Sequence, residues 1–385
     1  MSSANSSSAI TKRLDRLRSA LSQAPASFVG IDIGVRQITV TSIGTGNEKA
    51  RRKSDRKSAL KWQSIVRIPL PVDPISTPSR QWIQQTIDTL VQKLPRTVDG
   101  QRIVTSLSLP TTWMHYQVTT ANNLENCQSQ CDELFQNSIF NSNAHLAHWP
   151  MKLADAETEP TTPVDNQPPT QDALQVVAST SNSAAIKIAQ TINSLGYQVH
   201  SLLPHGAALV HSAHALTSIA PQSVAMLNFD GGLVAMNRQA DDRSAECGLC
   251  RSLPALPHET LQQLQDSEPS NGLSLNDIYP WLSDIAAEIV ATTQYSQRGS
   301  TTVNHPEILL VCGDIATISG VDSALAKLTN LPVAVWRYCG RSRPYQGTKT
   351  HAIGSDGTCA MSLSLAHQAA MSTQASEANA AEASS

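Results

Sequence analysis

Apolar positions fall into short strand-like runs separated by helical stretches. Phe28 to Ile33 is apolar apart from Gly30 and Asp32, and Ile38 to Ile43 alternates apolar and hydroxyl residues. The two runs predict a β-hairpin turning at Asp32-Ile33-Gly34. Strands are expected over Trp62 to Ile68 and Ile103 to Leu109, with a helix over Ser79 to Leu94 that opens on a Pro-Ser start signal. A separate small unit, 113–178, reads as strand His115 to Thr120, helix Leu124 to Phe140 and strand Ala173 to Ala178. Its stretch 154–171 is rich in Pro, Thr, Asp and Glu and reads as a disordered loop. Helix Ser183 to Leu195 stops at Gly196, where a left-handed cap is expected. Strand Tyr197 to Leu203 and helix Gly206 to Leu216 follow.

From Ser223 the opening design returns. An apolar run to Phe229 meets Asp230-Gly231-Gly232, and a second run spans Leu233 to Met236. Helix Ile278 to Tyr295 places Ile278, Leu282, Ile285 and Ile289 on one face. A third segment, Ile308 to Cys312, ends in Gly313-Asp314 and leads through Gly320 into a helix containing Leu325 and Leu328. The expected organisation is two α/β domains, 28–222 with the unit 113–178 inserted, and 223–367. Residues 1–26 read as a disordered leader carrying Ile10, Leu14, Leu17 and Leu21 at helical spacing, and 371–385 as a disordered tail.

A chain of 385 residues is long enough for two cores. Net charge is -3, so there is no global case for nucleic acid. Apolar runs are far shorter than the ~20 residues of a membrane span. The Ser-rich start lacks a charged leader and apolar core, which points to a cytoplasmic protein. Seven cysteines, an odd count, argue for reduced thiols.

The chemistry concentrates at the turns. A glycine after a strand lets backbone N–H groups approach a phosphate, and a neighbouring carboxylate holds magnesium, most readily through water. Asp32 and Asp230 are therefore the candidate metal contacts, and Gly34, Gly231, Gly232 and Gly313 the candidate phosphate and nucleotide contacts. Turn formation alone also favours Asp before Gly. The segment 49–61 is basic and reads either as solvated or as a contact for an acidic partner or anionic lipid. Cys127 with Cys131 and Cys247 with Cys250 have spacings that zinc sites use, without the matching knuckle context. His205, His211 and His214 read as surface or cap residues. No Gly-x-Ser-x-Gly is present.

The order hairpin, hairpin, strand-Gly-helix resembles the actin-like ATPase superfamily, which implies two ribonuclease-H-like domains facing a nucleotide cleft. Within it, residues 28–367 resemble the PilM family of type IV pilus assembly, a relative of the division protein FtsA. The resemblance rests on Leu174-Gln175-Val176-Val177-Ala178, Leu195-Gly196-Tyr197, Leu203-Pro204 with Ala207-Ala208-Leu209, the helix Trp281 to Ile289, and Leu331-Pro332-Val333 with Ala352-Ile353-Gly354. The unit 113–178 stands where that family carries its inserted subdomain.

The resemblance implies a cytoplasmic scaffold recruited to the inner membrane by a PilN-like bitopic partner. That partner's N-terminal cytoplasmic tail would lie in a groove near Ile103 to Leu109 and 113–140. ATP with Mg2+ would act as a conformational ligand, with at most weak ATPase activity. Self-association is also compatible with the resemblance. An active phosphotransferase, or a form that has lost nucleotide binding, are the alternatives. The sequence departs from the family where Val35, Arg36 and Gln37 replace hydroxyl residues and a lysine. It departs again where Leu233 follows the second turn and Cys312-Gly313-Asp314 replaces three glycines.

Overall fold

The computed structural model describes residue 14 and residues 27–45, 60–70, 80–97, 103–138, 140–150, 174–239, 245–257, 260, 274–296, 308–340 and 356–382. The expected leader apart from Leu14, most of the basic segment and the whole loop 154–171 lie outside the described residues.

Strands β1 (Ser27–Ile33), β2 (Gln37–Thr45) and β3 (Leu60–Pro69) form an antiparallel meander. Helix α1 (Arg80–Lys93) leads to β4 (Ile103–Ser108), which pairs parallel to β1. The chain then leaves this sheet for β5 (His115–Thr120), α2 (Leu124–Gln136), β6 (Ala144–Pro150) and β7 (Leu174–Ser181). It returns through α3 (Asn182–Ser194) to β8 (Tyr197–Leu202), and α4 (His205–Thr217) follows. The first sheet has the order β3-β2-β1-β4-β8, and the inserted sheet the order β5-β7-β6.

The second half repeats the plan. A meander of β9 (Ser223–Asn228), β10 (Gly231–Gln239) and β11 (Ala245–Leu253) is followed by helix α5 (Leu275–Ser296). The strand β12 (Leu309–Cys312), helix α6 (Val321–Thr329) and strand β13 (Val333–Val335) complete the order β11-β10-β9-β12-β13. The last element is α7 (Ala360–Glu382).

Three apolar layers hold this arrangement. On the outer face of the first sheet Val29, Ile31 and Ile33 pack with Trp82 and Leu90 of α1 and Ile188 and Ile192 of α3. Leu14 packs against this layer. On the outer face of the second sheet Ala225, Leu227, Leu309 and Val311 pack with Leu282, Ile285 and Ile289 of α5. Between the sheets, α4 and α7 fill a shared layer with Phe28, Val224, Met226, Leu233 and Leu310. The inserted sheet has its own small core of Cys127, Cys131, Phe135, Ala144 and Val177. A chain of edge-on rings joins it to the first sheet, with Trp82 and Trp113 4.4 Å apart and Trp113 and Phe140 5.0 Å apart.

The structure departs from the sequence expectations in four places. The tail expected to be disordered from residue 371 continues as α7 to Glu382. Nor does the C-terminal segment stay with the second half: α7 crosses back onto the first sheet, where Ser362 hydrogen-bonds Thr41 at 2.7 Å. Its Ala- and Ser-rich composition suits that close approach, because a Cβ on Gly30 would run into the Ser362 carbonyl and lie 2.5 Å from the Ala366 amide nitrogen. Helix α2 ends at Gln136, four residues early, so that Phe140 can fold back onto Trp113. Strands β6 and β11 were not expected; both are fixed by long ladders to β7 and β10. Gly196 takes the expected left-handed conformation, φ 93°.

Candidate functional site

The two Asp-Gly turns meet at one end of the shared layer. Asp32 is the penultimate residue of β1, directly opposite Ser108 in the parallel ladder with β4. That register lets the Ser108 hydroxyl donate to Asp32 Oδ1 at 2.8 Å. His205, the first residue of α4, brings Nε2 to 3.4 Å from the same oxygen, while its buried Nδ1 has no hydrogen-bond partner. His205 is therefore an interior residue, 2% exposed, and not the surface or cap residue its sequence suggested.

The turn after Asp32 is closed by its own backbone. Gly34 N–H donates to the Gln37 carbonyl at 2.9 Å. Val35 is held on both sides: its carbonyl accepts from Trp82 Nε1 at 3.0 Å, and its N–H donates across the shared layer to Asp230 Oδ2 at 3.2 Å. The second carboxylate thus caps the first turn. Behind Asp230, Gly231 adopts φ 134° beneath the short turn Thr111–Trp113, with Thr112 Cγ2 3.3 Å from where a Cβ would stand. Gly232 serves its own hairpin, since a Cβ there would lie 2.5 Å from the Met226 carbonyl.

The third candidate turn joins the same cluster. Gly313 has φ 93°, and a Cβ would stand 2.5 Å from Asn228 Oδ1 and 2.6 Å from the Leu227 carbonyl, so this position needs glycine. Its N–H donates to the Gly357 carbonyl at 3.0 Å, and the Asp314 N–H donates to Asn228 Oδ1 at 3.0 Å.

Charge is concentrated here. Burial raises the Asp230 carboxyl above the usual range, with Asp32 adding to the rise and Arg36 opposing it. Asp314 is pushed up to about 6, first by burial and then by the charge of Asp230, against the pull of Arg36 and Arg67. Burial also raises the Cys312 thiol, which stays neutral. Asp230 therefore feels the charge of Asp32, and Asp314 that of Asp230, with Arg36 opposing both and Arg67 opposing the second.

The fit to a magnesium-bound phosphate is conditional. Asp32 and Asp230 are close enough to feel one another's charge, as a water-mediated cation between them would require. The backbone donors that a phosphate would use are already engaged: Gly34 and Gly313 with carbonyls, Val35 with Asp230. A phosphate would have to displace Asp230 from Val35.

Ser108, His205, Asn228 and the Thr111–Thr112 turn were missed by sequence reasoning. Only the Leu-Pro steps after Ser108 and before His205, which end strands near the turns, hinted at them. The thiols do not gather: Cys127 and Cys131 share the Gln117 amide in the inserted unit, whereas Cys247 and Cys250 lie on β11. Burial pushes Cys247 up to about 12. Among the described residues no group of three or more His, Cys, Asp or Glu side chains is placed to hold a metal. Strand β4, where a peptide groove was expected, is buried along its whole length and offers none.

No protein-family model matches the chain, and no curated protein does. Among solved structures it is similar to one described as the PilM-PilN type IV pilus biogenesis complex, at 13% identity and TM-score 0.57, over 89% of this chain and 98% of that one. The chain has the actin-like ATPase fold. Weaker likenesses are to the ethanolamine utilization protein EutJ from Carboxydothermus hydrogenoformans (12% identity, TM-score 0.42, 93% and 97% covered) and the cytoplasmic domain of EpsL from the Vibrio cholerae type II secretion system (9%, 0.36, 90% and 95%). Among the described residues no helix is long and apolar enough to cross a membrane.

Proposed function

We propose that the chain is an actin-like scaffold of a type IV pilus or type II secretion-like assembly machine. It works in the cytoplasm and binds the N-terminal cytoplasmic tail of a PilN-like bitopic inner-membrane protein, which recruits it to the membrane. The observation that carries this reading is the small β5-β7-β6 sheet inserted between β4 and β8. The likeness to a PilM-PilN complex over most of the chain supports the same reading. Mg-ATP is the conformational ligand of the cleft. Asp32 and Asp230 would hold its magnesium through water, and Asp230 would give up the Val35 N–H that now joins it to the other half. At most weak ATPase activity accompanies this role; the histidine beside the turns, His205, pairs through Nε2 with Asp32.

Calorimetry with a synthetic peptide of the partner's tail, with and without Mg-ATP, tests the reading. The peptide is expected to bind, and Mg-ATP to change its affinity by about 5–150-fold, the usual range of coupling. The Asp32→Asn, Asp230→Asn double variant should lose nucleotide binding and coupling while keeping the peptide. Absence of peptide binding would sink the scaffold assignment. Peptide binding with no nucleotide uptake at millimolar ATP would leave a scaffold whose Val35–Asp230 contact is permanent.

A further inference from the structure

A cavity of about 450 Å3 lies away from the Asp-Gly turns, between the inserted sheet and the second half. It is walled by His115 to Val118 of β5, by Leu249 to Ser252 of β11, and by Thr292 and Tyr295 in the last turns of α5. Both strand walls consist of four consecutive residues. Successive side chains of a strand point to opposite faces, so a wall of consecutive residues is the strand's edge, with its row of N–H and C=O groups. Topology agrees: β5 and β11 are each the outermost strand of their sheets among the described residues. Gln117 illustrates the parity, because it lines the cavity while its amide reaches behind β5 to the Cys127 thiol at 2.7 Å.

The remaining lining sets the chemistry of the occupant. Val118 and Tyr295 are 38% and 43% exposed, which suits alternate apolar side chains. Arg251 and His115 line the space and, among the described residues, no carboxylate does. Arg251 pairs at 2.6 Å with Glu288 of α5, and both side chains remain substantially exposed. An exposed pair of this kind is worth only about 0.2–1 kcal/mol, so an incoming carboxylate competes with Glu288 on nearly equal terms.

We propose that this cavity is a docking site for an extended, acidic peptide segment of a partner protein, which adds as a strand to the outer edge of β11 and pairs a carboxylate with Arg251. Four wall residues at about 3.4 Å each accept a strand of four or five residues. The site goes beyond the scaffold reading and does not depend on it.

The probe is the capped, fluorescein-labelled peptide Val-Glu-Val-Asp-Val, titrated by fluorescence anisotropy against the full chain. Comparison probes are the counterpart with lysine in place of both acids and one with proline at the centre, which cannot complete the ladder. The acidic probe is expected to bind at least about tenfold tighter than either. Arg251→Glu should reverse the preference between acidic and basic probes. Glu288→Gln, which frees Arg251, should tighten the acidic probe by about two- to fivefold, matching the weight of an exposed ion pair. Hydrogen exchange should slow at residues 249–252 when the acidic probe is bound. Equal binding of the three probes, no binding at millimolar peptide, or acidic-probe binding that both variants leave unchanged would each overturn the proposal. Because Glu288→Gln and the exchange pattern are read separately, a fold defect in Arg251→Glu does not shield it.

Discussion

The two five-stranded sheets share one strand order but are used differently at their turns and inner faces. In the first, Asp32 is held locally, by Ser108 of the neighbouring strand and His205 of the helix that follows. In the second, Asp230 looks outward and grips the Val35 N–H of the other half. The inner faces differ in the same spirit. Sheet one admits α7 by omitting a side chain from the strand, at Gly30, whereas sheet two admits α4 by omitting one from the helix, at Gly206. One topology thus provides a fixed half, with its carboxylate tied down, and a reaching half, whose carboxylate forms a contact between them.

The inner faces give the largest test of that comparison. Gly30→Ala places a Cβ against the Ser362 carbonyl and the Ala366 amide, which are backbone atoms. A loss of about 3 kcal/mol or more is expected, at the upper end of overpacking costs, because no side chain can yield. Gly206→Ala meets the Cys250 Sγ at 2.6 Å and the Ala235 Cβ at 3.1 Å, for an expected cost of about 1–3 kcal/mol. Adding Cys250→Ala should recover at least half of it, since the main obstacle is a side chain. Urea melts of the four proteins decide the matter: equal losses at the two glycines, with no rescue by Cys250→Ala, would remove the distinction between the inner faces.

The carboxylates give the next test. Asp230→Ala removes the acceptor of the Val35 N–H, a charge-assisted hydrogen bond worth about 1.5–3 kcal/mol. Val35 exchange should accelerate roughly tenfold or more in native-state hydrogen exchange. Asp32→Ala should leave Val35 protection intact and lower global stability by about 1–2 kcal/mol, because Ser108 and His205 lose their acceptor. If the two variants changed Val35 exchange alike, the contact between halves would not rest on Asp230.

What was legible in the sequence follows the same division. Both hairpins were visible because strand period and Asp-Gly turns are local signals: β1 and β9 appear where Phe28 to Ile33 and Ser223 to Phe229 placed them, within a residue at each end. Strand β11 was not, because Ala245-Glu246-Cys247-Gly248-Leu249-Cys250 carries a glycine, a charge and a thiol spacing that suggested chemistry instead. Its strand character comes from a ladder running from Gly232 opposite Leu253 to Gln239 opposite Ala245, with a register shift after Met236. Helix α7 was hidden by composition, since small residues look like a solvated tail until a strand glycine allows them to pack. At the candidate site, Asp32 and Asp230 stood out beside their glycines. Their partners did not, because Ser108 arrives by parallel register and Val35 reaches Asp230 only through the docking of the halves.

The smallest effect concerns Asp314, which sits where the two halves' charges overlap. Its carboxyl is raised to about 6 in the folded chain, against a reference value of about 3.9 for an unfolded aspartate. The folded state therefore binds this proton more tightly than the unfolded state does. Between these two values, lowering the pH favours folding, so the contribution of Asp314 to stability grows as pH falls through 6 and is complete near 4. Above pH 6 its charge is a net burden, set by burial and by Asp230. Asp314→Asn keeps the backbone N–H bond to Asn228 Oδ1 and removes that charge. The variant should gain on the order of 1 kcal/mol at pH 7.5, after discounting for partial exposure of the side chain. Thermal melts should show this as about 1–2 °C, with the gain gone by pH 4.5. In an Asp230→Asn background the gain should shrink, because the charge of Asp230 is the second cause of the shift. An equal gain in both backgrounds would mean that burial alone raises Asp314, and that the reaching half carries its charge independently of the third turn.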